Sequence, residues 1–142
     1  MEREEDLARG APKLIASSAF LVLATIVFPV GLNAQQPAFR NAPASTAGTK
    51  NPYAGSASAA AAGQKLYAHN CAACHGNNLQ GMGPGPALDS ATVRNAKPGA
   101  LFWFISTGKL SSGMPSWSSL PKQQLWQIVT FLQSPASKAA AK

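Results

Sequence analysis

At 142 residues the chain has room for one small domain and short extras. Twelve basic residues against five acidic ones give a net charge of +7, but the lysines stand singly, with no Arg-rich stripe, which argues against nucleic acid as the partner. The hydrophobic fraction of 46% overstates the core, because part of it sits in one N-terminal run and in alanine-rich segments.

Leu14 to Leu32 is an almost unbroken apolar run preceded by Arg3, Arg9 and Lys13, a pattern that leaves the N-terminus inside and exports the rest. The run is long enough to span a bilayer. Pro29 and Gly31 break a helix just ahead of the small residue Ala34, which favours a cleaved signal peptide over residues 1–34 rather than a retained anchor. Either way the rest of the chain ends up outside the cytoplasm. Beyond Ala34 the only acid is Asp89, against nine basic residues. Such a surface favours acidic proteins or anionic headgroups as partners.

Residues 35–57 are rich in Ala, Pro, Ser, Thr, Asn and Gly with no apolar period, and read as a flexible linker. A folded domain follows over residues 58–134. Its first helix is expected from about Ser58 through Cys71, with Gly63, Tyr67 and Cys71 on one face. A glycine inside a helix is costly unless a neighbour approaches it closely, so a helix crossing is expected at Gly63.

Cys71-Ala72-Ala73-Cys74-His75 carries the chemistry. Cysteines at i and i+3 share one helix face, so both thiols can reach the two vinyl groups on one edge of a porphyrin. His75, next in sequence, can offer a neutral imidazole nitrogen to the iron from the same side. Together they form the attachment pattern for a covalent c-type haem. A Cys2His2 zinc site lacks a second ligand pair downstream, since His69 and His75 flank the same short segment. A thioredoxin-like motif would need a βαβ setting, whereas the surroundings are helical.

The Gly-, Pro- and Asn-rich stretch from Gly76 to Leu88 is expected to be a loop folding over the porphyrin edge. Pro86 has no N–H, but its carbonyl can accept from the second imidazole nitrogen of His75 and raise the basicity of the ring. Pro98 and Gly108 bracket a short buried helix containing Leu101, Phe102, Phe104 and Ile105. Leu125, Ile128, Val129 and Leu132 mark one face of a final helix from Pro121 to Gln133. Residues 135–142 read as a disordered Ala/Lys tail.

The second axial position decides the function, because two protein ligands make an electron carrier and one leaves a site for catalysis or gas binding. His69 lies two residues before Cys71 on the same helix and reads as an exposed polar residue. Met82, seven residues beyond His75, would have to wrap the haem edge almost straight. Met114 sits between Gly113 and Pro115 after a buried helix, with room for the chain to cross, and is the preferred ligand.

From Gly63 to Leu132 the chain resembles the class I, monohaem c-type cytochromes of bacteria. The matching pieces are Gly63-x-x-x-Tyr67, Cys71-x-x-Cys74-His75-Gly76, Gly85-Pro86-x-Leu88, Gly113-Met114-Pro115 and Trp126-x-Ile128-Val129-x-Phe131-Leu132. The resemblance implies an all-α fold of three to four helices and loops around one covalent haem. It implies thioethers at Cys71 and Cys74, axial ligands His75 and Met114, and Pro86 as the carbonyl partner of His75. It also implies a crossing of the first and last helices, with Gly63 and Tyr67 against Ile128 and Phe131. The expected role is single-electron transfer in the periplasm between a dehydrogenase or respiratory complex and an acceptor such as a terminal oxidase. The alternatives are a haem-bearing subunit of a larger membrane oxidoreductase, or a haem enzyme or gas sensor with an open sixth site. Arg94 and Trp117 are candidate contacts for the haem propionates, and Lys65, Lys97 and Lys109 for docking an acidic partner.

Overall fold

The computed structural model describes residues 37–140; the apolar run 14–32 and the cleavage point at Ala34 lie outside the described residues. The described chain is helical. Among the described residues its β-type pairing is limited to isolated bridges between Met82 and Gly85 and between Lys109 and Met114. In chain order the helices are α1 (Ala44–Ala47), α2 (Ala57–Asn70), α3 (Ala72–His75), α4 (Ala91–Arg94), α5 (Pro98–Thr107), α6 (Lys122–Leu132) and α7 (Pro135–Ala140). Short 3-10 turns occupy Ala38–Asn41 and Leu110–Ser112. Among the described residues no helix is long and apolar enough to cross a membrane.

Helices α2 and α6 form the most extensive packing in the fold. The reason lies at Gly63. A Cβ there would meet the Gln127 carbonyl oxygen at 1.9 Å and the Phe131 Cβ at 3.0 Å, so only glycine lets the two backbones come this close. One turn on, the Tyr67 and Phe131 rings tilt against each other with centroids 5.5 Å apart, a favourable aromatic arrangement. The apolar stripe of α6 is wholly inside: Leu125, Ile128, Val129, Phe131 and Leu132 are all buried. Ser56 starts α2 by accepting a hydrogen bond from the Ala59 N–H at 3.2 Å, which satisfies one of the orphan donors of the first turn. Pro98 opens α5, where its missing N–H costs nothing.

Two expectations are corrected. Residues 37–57 are not a flexible linker: the turn at Ala38–Asn41 and helix α1 both pack on α5. Phe39 is buried, and the Asn51 side-chain amide donates to Thr130 Oγ1 at 2.9 Å inside the fold. Residues 135–140 are not a disordered tail either. They form α7, in which buried Ser137 donates its hydroxyl to the carbonyls of Leu132 and Ser134. Both segments are held by one or two buried side chains rather than by a periodic apolar face, and that is why composition concealed them.

Candidate functional site

Helix α3 follows α2 after a break at Cys71 and carries Cys74 and His75. The loop after it is laced onto its end. The Gly81 N–H donates to the His75 carbonyl at 2.8 Å, and the Met82 N–H donates to the Cys74 carbonyl at 3.0 Å. Leu79 plugs this loop into the core, with no exposed surface and a positive φ of 64°. Tyr67 reaches the same loop, donating its hydroxyl to the Gly76 carbonyl at 2.7 Å. Burial, and secondarily the charge of an ionised Cys71, keeps that phenol protonated well beyond the usual tyrosine range.

The loop returns over α3 through Gly85. A Cβ at Gly85 would lie 2.0 Å from the Cys74 carbonyl oxygen, so a side chain is excluded there. This close approach sets the Pro86 carbonyl 2.8 Å from His75 Nδ1. A carbonyl only accepts, so Nδ1 carries the hydrogen and Nε2 keeps its lone pair for a metal.

Met114 comes from a separate segment. Lys109 and Met114 exchange both backbone hydrogen bonds, N–H to carbonyl at 2.9 and 3.2 Å, closing a tight loop around the 3-10 turn at Leu110–Ser112. The Met114 side chain is half-buried.

Cys71, Cys74, His75, Pro86, Met114 and Trp117 all line one cavity of about 690 Å³, closed elsewhere by Tyr67, Leu101, Phe104, Ile105, Ile128 and Leu132. That volume falls within the range of about 300–1,000 Å³ typical of small-molecule and cofactor sites. The two cysteines are not joined to each other. Burial, followed by the neighbouring Cys74 charge, pushes the Cys71 thiol up to about 11, so it is a thiol and not a thiolate at neutral pH. A largely apolar cavity lined by two thiols, an imidazole nitrogen with a free lone pair and a thioether fits a covalently attached haem. Cys71 and Cys74 would hold its edge, while His75 and Met114 would hold the iron.

Residues 58–132, just over half of the chain, match the family described as cytochrome c oxidase, cbb3-type, subunit III. The chain belongs to this family of c-type cytochromes. Its cofactor is accordingly a covalently bound haem c. Cytochrome cL from the marine methylotrophic bacterium Methylophaga aminisulfidivorans MPT is a solved structure similar to it, with 29% sequence identity and a TM-score of 0.52. That match covers 64% of this chain and 65% of the other, so this cytochrome spans just under two thirds of its structural relative. No curated protein matches the chain.

The remaining candidates separate cleanly. Met82 is 53% exposed and lies outside the cavity lining, on the loop tied to α3. His69 is exposed on α2. Trp117 lines the cavity, but Arg94 does not: its guanidinium donates to the backbone carbonyl of Asp89, and its own carbonyl accepts from the Gln133 amide. The cavity wall also contains Phe39 from the N-terminal segment, which sequence reasoning missed. The signal was thin but present, since Phe39 is the only aromatic residue between Phe28 and Tyr53.

Proposed function

We propose that this cytochrome is an exported, periplasmic carrier of single electrons with His75 and Met114 as its axial ligands. It would work between a dehydrogenase or respiratory complex and an acceptor such as a terminal oxidase, without catalysing a reaction of its own. The observation that carries this reading is the meeting of His75 and Met114 in one apolar cavity. When bound, the haem supplies a one-electron iron couple. The chain's own residues do the rest. Pro86 orients His75 and strengthens it as a base. The paired backbone of Lys109 and Met114 holds a soft thioether in place, and a thioether ligand favours the ferrous state and raises the potential. The buried apolar residues of the cavity, Tyr67, Leu101, Ile105, Ile128 and Leu132, would limit how much solvent has to reorganise on transfer.

The test is the visible spectrum of the ferric, export-matured protein beside Met114→Ala. A weak long-wavelength sulfur-to-iron band should appear in the parent and vanish in the variant. Its absence from both would reject Met114 and favour an open-site enzyme or sensor, which would then bind carbon monoxide in the untreated ferrous state.

The family description favours a second reading, in which the chain is a permanent haem-bearing subunit of a membrane oxidoreductase. Co-purification of further chains in stoichiometric amounts would support it over a diffusing carrier.

A further inference from the structure

Phe39 lies upstream of the family match, which begins at residue 58, yet it lines the haem cavity. It also lines a second groove of about 600 Å³, bounded by the N-terminal segment, α4 and the start of α5. Arg40, Ala44, Ala91, Asn95 and Lys97 along that groove are exposed, so the groove faces water. Phe39 and Thr92 are the residues common to both linings. Thr92 is small and exposed, whereas Phe39 is 8% exposed, so Phe39 is the bulkier and better buried of the two shared residues.

The segment that carries this ring is pinned away from the cavity at two places. At Gly99 a Cβ would lie 2.0 Å from the Thr46 carbonyl oxygen, so α1 sits directly on the backbone of α5. Further along, Asn51 bonds Thr130, which in turn donates to the Trp126 carbonyl at 2.8 Å. Residues 37–57 thus act as a strap across α5 with Phe39 at its cavity end.

We infer that Phe39 is a haem-shielding residue: it separates the haem from the water of the neighbouring groove and holds the reduction potential up. Ferric haem carries one more positive charge than ferrous haem, and water stabilises the more charged form. Opening the partition therefore lowers the potential, since solvent exposure is one of the levers that set it. The inference rests on haem occupying the cavity and not on Met114 being the sixth ligand.

The test is spectroelectrochemical titration of the haem-loaded full chain. Phe39→Ala should shift the ferric-to-ferrous ratio at fixed potential about tenfold toward ferric, which is 59 mV for a one-electron couple. Phe39→Leu, which keeps an apolar plug, should stay near the parent. Gly99→Ala, which wedges the strap off α5 without altering a cavity residue, should fall in the same direction as Phe39→Ala. A folded Phe39→Ala or Gly99→Ala at the parent potential would overturn the inference, as would Phe39→Leu falling as far as Phe39→Ala. If Gly99→Ala fails to fold, the two Phe39 variants decide the matter. The sulfur-to-iron band of the same samples reports Met114 separately, and its absence from the parent would reject the axial assignment while leaving the Phe39 comparison intact.

Discussion

Gly85 lies against the Cys74 carbonyl so closely that a methyl group on its α-carbon would sit 2.0 Å from that oxygen. The hydrogen bond between His75 and Pro86 depends on this contact, because Pro86 is the next residue along. Gly85→Ala should push the loop off α3 and lengthen or break the bond. A histidine that loses this acceptor becomes a weaker base and stabilises ferric iron less. The expected result is a rise in reduction potential, measured by potentiometric titration, opposite in sign to the effect of opening the cavity to water. An unchanged potential in a folded, haem-loaded Gly85→Ala would show that the contact does not govern the ligand.

Gly63 has the same kind of role at the crossing of α2 and α6, with the Gln127 carbonyl oxygen 1.9 Å from where a Cβ would stand. The obstacle is backbone, which cannot swing aside as a side chain can. Gly63→Ala should cost at least the roughly 1–3 kcal/mol of an overpacked core, despite alanine being the better helix former by about 1 kcal/mol. Chemical denaturation of the holoprotein reads this directly. A stabilised Gly63→Ala would mean that the helices separate without penalty.

Much of this site was legible in the residues. The cysteine pair, the histidine beside it and the Gly85-Pro86 pair each signal through local chemistry, and all of them line the one cavity; the glycine at the helix crossing signalled in the same way. Other parts were not legible. Phe39, Asn51 and Ser137 anchor their segments singly, and one buried residue in an Ala/Pro/Ser background leaves no period to detect. Arg94 is another residue whose surroundings were not legible. Its guanidinium donates to the Asp89 backbone carbonyl, a local contact that sequence does not disclose.

Tyr67→Phe isolates one hydroxyl. Its loss leaves the buried Gly76 carbonyl without that donor, which should cost about 1–3 kcal/mol. The pH dependence has a definite sign. Burial raises the folded-state value of Tyr67 above its ordinary 10, so its contribution is complete below pH 10 and is lost as pH rises above that value. The stability of the parent should therefore fall in the alkaline range, while Tyr67→Phe should show a flatter profile there. Parallel profiles would mean that Tyr67 does not titrate on unfolding.

Leu79 combines complete burial with a left-handed backbone. Leu79→Ala should cost about 2–5 kcal/mol for the lost side chain and leave the conformational strain in place. Glycine loses the same side chain but adopts positive φ freely. Leu79→Gly should therefore be no less stable than Leu79→Ala, against the usual order in which glycine is worse by about 0.5–1 kcal/mol. Thermal melts of the pair decide it, and a clearly weaker glycine variant would show that the strain at this position is negligible.

Lys65, Lys97 and Lys109 are exposed, and Lys109 stands at the cavity wall as the hydrogen-bonding partner of Met114. Asp89 is the only acid beyond Ala34, so little on this surface offsets their field. An acidic redox partner should be steered to the lysine at the haem cavity more strongly than to those further away. Steering of this kind acts on the association rate and is screened by salt. Lys109→Gln should therefore slow reduction by an acidic donor at low ionic strength, with the difference closing as salt is added. Lys65→Gln, on α2, should have the smaller effect. Lys109→Gln should leave the sulfur-to-iron band in place, because the pairing with Met114 uses backbone atoms alone. Equal salt slopes for the parent and both variants would reject electrostatic docking at this end of the molecule.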